Sequence, residues 1–373
     1  MLETYIRLTL FVFFLLVFII QLYYLISQYK SLSAYKVSDD LPEVKIPVSV
    51  VISARNESKN LTEYLPSILQ QNYPDFEVVL VNDCSFDDSE DVLKDMQKQY
   101  PHLKVVTITE HDRFKTGKKF ALTLGIKAAK NEHLLFTDAD CKPASEHWIA
   151  YMASRFTDNK QIVLGYSPYY KKGGFLNGMI RFETLRTAIN YLSAALNGNP
   201  YMGIGRNLAY TKTLFFSNKG FASHMHILAG DDDLFVNQNA TSTNTAIEIH
   251  PDSFMYTEAK SSFGALYRQK KRHMGVGKAY KNSHRRMISF EVMSGLLFYL
   301  LFISCLVFYF EPLLAFGLFA FRWIVQVLVF RKTFKKLNAM SQIWYLPFLD
   351  FVYYIYISFF GLIGTFVKTT QWK

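Results

Sequence analysis

The stretch from Leu8 to Ile26 is apolar apart from Thr9, Gln21, Tyr23 and Tyr24, and nothing else in the chain restricts its fold so strongly. About 20 residues at 1.5 Å rise cover the ~30 Å hydrocarbon core of a bilayer. The run is longer than the apolar core of a signal peptide, and no small-x-small cleavage site follows it. It predicts an N-terminal transmembrane anchor over residues 1–30. Phe290 to Phe310 is apolar again, Glu311-Pro312 makes a turn, and Leu313 to Phe330 follows. Tyr345 to Val367 is a last candidate, interrupted by Pro347 and Asp350. Residues 290–373 are therefore expected to form a C-terminal membrane region of two or three spans. A hydrophobic fraction of 50% agrees with such segments. Arg322, mid-span, is costly unless it faces other helices or snorkels.

Basic flanks favour the cytoplasmic side. Lys30 and Lys36 follow the first span, Arg285 and Arg286 precede the second, and Arg331, Lys332, Lys335 and Lys336 follow the third. All fall on one side if residues 30–289 are cytoplasmic; Lys368 and Lys373 then lie outside. The sequons at Asn56, Asn60 and Asn239 are accordingly expected to stay unmodified. With three cysteines, Cys84, Cys141 and Cys305, no disulfide framework is expected. The net charge of +10 suits anionic lipid or phosphate-bearing ligands. No nucleic-acid partner is expected.

Between the apolar ends, residues 31–46 read as a polar linker, after which strands and helices alternate. Val48–Ser53, Glu77–Val81, Lys104–Ile108 and His133–Thr137 are short strand-like runs. Asn60–Gln71, Asp87–Tyr100 and Lys118–Lys130 read as helices between them. Near-continuous apolar strands separated by helices predict an α/β fold, a mostly parallel sheet covered on both faces. Such sheets bind ligands beyond the carboxyl ends of their strands. Here those ends carry Arg55-Asn56-Glu57, Asn82-Asp83, Asp138 and Asp140. Beyond residue 150 the alternation breaks, with helices expected at Phe175–Ala195 and Leu234–Asn239 and a Gly-rich loop at Gly198–Gly205.

Asp138-Ala139-Asp140 follows the fourth strand. Residues two apart in extended chain point the same way, about 7 Å apart, so their carboxylates can share a hard divalent cation with diphosphate oxygens. An acidic loop is the ordinary reading of such a motif alone; its position at a strand end argues for the metal. Asp83 is suited to accept a hydrogen bond from a base or ribose, or to serve as a turn carboxylate. Lys115, Lys118 and Lys119 surround Gly117 at a helix start, a place that attracts phosphate or is simply solvated. In Gly230-Asp231-Asp232-Asp233 three adjacent carboxylates repel one another and need donors, metal or solvent. One of them can take a proton from an acceptor hydroxyl, and a helix N-terminus can hold the same acids. Gly203-Ile204-Gly205-Arg206-Asn207-Leu208 lacks the third glycine and the strand-to-helix setting of a dinucleotide site. The basic segment 263–289 reads as an amphipathic interfacial helix feeding the second span. Within it, Arg272 is placed to stabilise a diphosphate leaving group.

These motifs, in this order, resemble the membrane-embedded branch of the inverting family 2 glycosyltransferases with the GT-A fold. The resemblance covers roughly residues 46–290. Val50 to Glu57 is similar to the family's first nucleotide-binding strand and loop, which implies nucleotide-sugar contacts at Ala54, Arg55, Asn56 and Glu57. Asp83 resembles its second-strand aspartate, Thr116-Gly117-Lys118 its Gly-Lys segment, and Asp138-Ala139-Asp140 its metal motif. The resemblance thus implies a divalent cation, Mg or Mn, at Asp138 and Asp140. Gly203 to Tyr210, containing Asn207, is similar to the acceptor-side loop. Gly230-Asp231-Asp232 resembles the acidic pair that supplies the base, Asp232, or Asp231 if the register is set by Asp233-Leu234. Gln269-x-x-Arg272-His273 resembles the Gln-x-x-Arg-Trp motif, with His273 in place of tryptophan.

The resemblance implies a GT-A type, Rossmann-like domain over residues 47–262 between the N- and C-terminal membrane helices. It further implies sugar transfer with inversion from a nucleoside-diphosphate sugar to a hydroxyl of a lipid or lipid-linked glycan at the cytoplasmic face. A processive synthase that also exports its polymer and a non-catalytic membrane scaffold are the competing expectations. A glycosidase also uses two carboxylates, but needs neither a nucleotide cradle nor a membrane tether.

Overall fold

A computed structural model describes residues 2–109, 117–273 and 275–366; the side chains of residues 2–3, 272–273 and 364–366 lie outside that description. Among the described residues nine strands are present: β1 Val48–Ala54, β2 Phe76–Asp83, β3 Leu103–Ile108, β4 His133–Asp138, β5 Cys141–Pro143, β6 Ile162–Leu164, β7 Leu208–Thr211, β8 Thr245–Ile247 and β9 Met255–Thr257. Seven form one sheet in the order β3-β2-β1-β4-β7-β6-β8, and β5 pairs with β9. The first four strands in chain order run parallel, with Val50 opposite Val78 and Leu135. β7 is antiparallel to both of its neighbours, β4 and β6, and β6 and β8 run parallel. This is the mostly parallel α/β sheet that the alternation predicts.

The pleat sends alternate residues to opposite faces. Val50 and Ile52 pack with Leu61, Leu65 and Trp148 on one side. Val51 and Val79 pack with Leu122, Ile126 and Phe182 on the other. The Lys118–Ala128 helix lies so close to the sheet that a Cβ on Gly125 would stand 2.7 Å from Val51 Cγ1. Burying β1 and β2 almost completely contributes about 1.5–3 kcal/mol for each Val, Leu or Ile, the main force fixing the strand ends that carry the polar residues.

Among the described residues four helices are long and apolar enough to cross a membrane: Thr4–Ala34, Asn282–Val307, Pro312–Lys336 and Met340–Ile363. Three C-terminal spans are therefore available, the larger of the two numbers expected. Pro347 is tolerated because it lies in the first turn of the Leu346–Phe366 helix, where its missing N–H has no helical partner. Arg322 turns inward, donating to Gln21 Oε1 at 2.7 Å and Asp350 Oδ2 at 3.1 Å. The two charges that seemed to argue against these spans thus match each other.

The bundle is joined to the sheet domain by Arg186, on the Phe175–Leu196 helix. Its guanidinium lies 3.4 Å from both Glu291 and Asp350 and donates to Tyr354 Oη at 3.1 Å. Helix Asn282–Val307 also meets the ring of Tyr354 at Gly295, where a Cβ would stand 2.1 Å from that ring. Segment 263–289 differs from expectation, since it is not one helix. Phe263–His273 is helical, Val276–Ala279 is a 3-10 turn, and a new helix starts at Asn282. Gly275 makes the break with φ +105, a conformation other residues rarely adopt.

Candidate active site

A cavity of about 470 Å³ opens at the carboxyl ends of β1, β2 and β4. Ala54, Arg55, Glu57, Asp83, Asp138 and Asp140 line it from the sheet. Lys118, Gly205, Asp231, Asp232 and Asp233 close it from the other side, and Gln269 and Ile357 reach it from the membrane-proximal helices.

Lys118 sits at its centre. Its Nζ is 2.8 Å from Asp138 Oδ1 and 3.0 Å from Asp231 Oδ2. Burial works against its charge, yet Asp138, Asp231 and Asp232 together hold the ammonium well above its usual pKa. Gly117, which precedes it, caps the start of the Lys118–Ala128 helix, which packs on β1 and β2. The lysine is therefore delivered by a helix N-terminus, where positive potential already favours anions.

The three acids of the Gly230–Asp233 turn are held differently. Asp231 is raised above the ordinary carboxylate range by burial and by Asp232 and Asp138, against the pull of Lys118. Asp232 caps the Asp233–Asn239 helix: Oδ1 accepts from Asp233 N and Oδ2 from Gly205 N, both at 2.7 Å. A side chain at position 205 would crowd that carboxylate, since a Cβ there would lie 3.3 Å from Asp232 Oδ2. Asp233 accepts from Tyr280 Oη at 2.9 Å and is raised well up by burial and by Asp232. Repulsion among the three is thus offset by backbone N–H groups, a lysine and a phenol.

Behind this turn Lys119 donates to the carbonyls of His224 at 2.7 Å and Ile227 at 2.9 Å. Burial pushes Lys119 down to about 8. Burial, followed by the Lys119 charge, pushes His224 down to about 4.

Asp140 is raised by burial and then by Asp138, partly offset by the Arg206 guanidinium. A buried carboxylate raised by a close neighbouring carboxylate gains from a shared cation. Among the described residues no group of three His, Cys, Asp or Glu side chains could hold a metal ion by itself. Asp138 and Asp140 therefore fit a divalent ion that takes its other ligands from a bound anion and water, the habit of Mg²⁺. Asp83 is buried, raised by burial, and its Oδ1 has no hydrogen-bond partner among the described residues. A buried orphan acceptor costs about 1–3 kcal/mol, so a donor from a ligand would be stabilising here.

Two expected contacts do not reach the cavity. Asn207 is buried, accepting from Trp148 Nε1 at 3.0 Å and donating to the carbonyls of Tyr166 and Ser253, both at 2.8 Å. Its amide anchors the interior and does not face an acceptor. Asn56 is exposed at φ +54, and its side chain accepts from Phe86 N at 2.8 Å, so it ties the two loops beyond β1 and β2 together. Gln269 lines the cavity, with Nε2 3.5 Å from Tyr169 Oη. The side chains of Arg272 and His273, together with Lys115 and Thr116, lie outside the described residues. Arg206, 4.6 Å over the Tyr169 ring, lines the cavity and was not read from the sequence. Its signal was a charge set between a glycine and a buried strand. Glu183 and Lys270, paired at 2.9 Å, and Ile357 also line it; no local motif marks them.

Residues 49–227 match the family described as Glycosyl transferase family 2. Over 190 residues the chain is 26% identical to 4,4'-diaponeurosporenoate glycosyltransferase of Staphylococcus haemolyticus, covering 49% of each chain. Over 132 residues it is 24% identical to UDP-Glc:alpha-D-GlcNAc-diphosphoundecaprenol beta-1,3-glucosyltransferase WfaP of Escherichia coli, covering 35% of this chain and 48% of that protein. The matched segments span about half the length of these curated relatives. In structure, the chain is similar to mannosyltransferase PcManGT from Pyrobaculum calidifontis in complex with GDP-Man and Mn2+. The TM-score is 0.59 at 17% identity, covering 97% of this chain and 99% of that one. That likeness is one of fold, and it extends over the membrane-proximal helices as well as the sheet.

Proposed function

The chain belongs to the family 2 glycosyltransferases, and from that premise we propose that it transfers a sugar, with inversion, from a nucleoside-diphosphate sugar to a hydroxyl of a lipid or lipid-linked glycan at the cytoplasmic membrane face. One observation carries this reading. The cavity holding Lys118, Asp138 and Asp231 is continuous with Glu183, Gln269 and Ile357, so the chemistry faces the last membrane helix. The lipid-linked acceptor named for the Escherichia coli relative favours the same reading.

In this proposal the base and ribose are received by the β1 and β2 loops, with Asp83 Oδ1 as the waiting acceptor. Asp138 and Asp140 would hold the divalent cation, which when bound neutralises charge on the diphosphate. Lys118 stands between the diphosphate and the acidic turn, where it orients phosphate oxygens and disperses leaving-group charge. Asp232 receives the acceptor proton. Its two backbone donors fix the carboxylate in one orientation, which supplies the positioning that proton transfer requires. Asp231 serves as the counter-charge of Lys118. Arg206 and Gln269 bound the acceptor side.

The test incubates detergent-solubilised protein with a panel of nucleotide sugars and a native lipid extract. Products are resolved by mass spectrometry and their anomeric configuration by NMR. Transfer to a lipid fraction with inverted configuration is expected. Release of free sugar alone, or a retained configuration, would overturn the proposal.

A further inference from the structure

A second cavity, of about 490 Å³, lies where the sheet domain meets the membrane bundle. One wall is Tyr166, Lys171, Arg181 and Tyr256 of the sheet domain; the other is Lys335 and the 337–342 segment that leads into the last span. Tyr169 lines this cavity and the catalytic one, so the two are neighbours separated by one ring.

Its charge is one-sided. Three cations line it and no carboxylate does. Their sequence neighbours are matched elsewhere: Lys172 pairs with Glu258 at 2.6 Å, and Lys336 donates to the carbonyls of Leu32 at 3.1 Å and Ser33 at 2.6 Å. Among the described residues the side chains of Lys171, Arg181 and Lys335 make no ion pair or hydrogen bond. Arg181 is half-buried, and burial pushes its guanidinium below its usual value, so its charge is only partly hydrated and faces tyrosines, with no carboxylate partner among the described residues. Asn338, Ser341 and Gln342 also line it, and Gln342 Oε1 is buried without a hydrogen-bond partner among the described residues. Lys171 and Lys335 are exposed and Arg181 is half-buried, so an anion here would be drawn by three cations and would restore to Arg181 the contacts that burial takes from it.

We propose that this cavity binds the phosphate of a membrane lipid, with Arg181 and Lys335 as its principal contacts. Arginine matches phosphate oxygens in a bidentate fork, and a lysine at the end of a span reaches headgroup level. The position beside the last turn of the Pro312–Lys336 helix places the anion where a bilayer presents its phosphates. The proposal does not depend on the transferase reading, since it concerns binding alone.

The experiment uses the full chain in a neutral detergent. Retained lipid is counted by native mass spectrometry after exchange into phosphatidylglycerol or phosphatidylcholine. One phosphatidylglycerol per chain, retained at least fivefold over phosphatidylcholine, is expected for the unaltered protein. Arg181→Gln/Lys335→Gln should remove that preference, whereas Arg331→Gln/Lys332→Gln, which alters nearby exposed cations, should keep it. Arg181→Lys should retain it in part and controls for folding. Inorganic pyrophosphate at millimolar concentration distinguishes the source of phosphate: no displacement means a lipid headgroup, and displacement means a soluble phosphate at the same residues. Equal retention by the Arg181/Lys335 variant, or equal loss in both double variants, would overturn the site.

Discussion

Lys118 Nζ lies 2.8 Å from Asp138 Oδ1, so the carboxylate proposed to meet a divalent ion is already matched by a cation of the chain itself. Binding a metal with a diphosphate then requires Lys118 to turn from carboxylate to phosphate. Lys118→Met should let Mn²⁺ bind more tightly without nucleotide, because Asp138 and Asp231 lose their counter-charge. Nucleoside-diphosphate affinity should fall by about 10-fold or more, the worth of a charge-assisted hydrogen bond. Titration of free Mn²⁺ by electron paramagnetic resonance checks both, and unchanged affinities would remove Lys118 from the site.

Asp232 and Asp231 are adjacent but differently engaged, and substitution should separate them. Asp232→Asn is expected to lower turnover by about 10²–10⁴ while leaving nucleotide affinity within about twofold. Asp231→Asn should instead weaken nucleotide binding, because Lys118 loses a partner. Steady-state kinetics with calorimetric binding decides the matter. Near-normal turnover in Asp232→Asn beside an inactive Asp231→Asn would reassign the base to Asp231.

The depressed pKa of His224 makes stability depend on pH in a defined direction. An unfolded histidine titrates near ~6.5, whereas His224 is held down to about 4 in the fold. Between those values the unfolded chain binds more protons, so stability falls as pH drops from about 6.5 towards 4. His224→Gln should flatten that part of the melting-temperature profile. An identical decline in the variant would show that other groups set it.

Arg322 and Asp350 form an ion pair inside the membrane bundle, and removing one partner leaves the other buried. Arg322→Met should cost about 3–5 kcal/mol of stability, measured by denaturant unfolding in mixed micelles. A loss below about 1 kcal/mol would mean that Arg186, 3.4 Å from Asp350 on its other side, compensates the carboxylate alone.

The parallel sheet and its strand ends were legible because β1 to β4 combine continuous burial with polar residues at one end, whereas the order of the strands was not. Asp83, Asp138 and Lys118 could be placed in the site from that pattern. The short strands β5, β6, β8 and β9 escaped notice, since three residues carry no periodicity. Asn207 and Asn56 were legible as polar residues in the right loops. Whether an amide meets a ligand or Trp148 is decided by packing across distant segments, which local sequence does not encode. Arg206, Tyr169 and Ile357 reach the cavity from three separate elements, and only the folded chain brings them together.

Arg186 is 1% exposed, and its counter-charges, Glu291 and Asp350, both lie beyond residue 282. A shortened chain ending before that point, made to obtain a water-soluble enzyme, would keep every acidic motif residue yet lose both carboxylates and the rings of Phe330, Tyr353 and Tyr354 that cover this guanidinium, opening the buried joint to water. It would also lack Ile357, one side of the reaction chamber. The membrane helices are thus not a detachable handle, and a recombinant form of the protein should retain them.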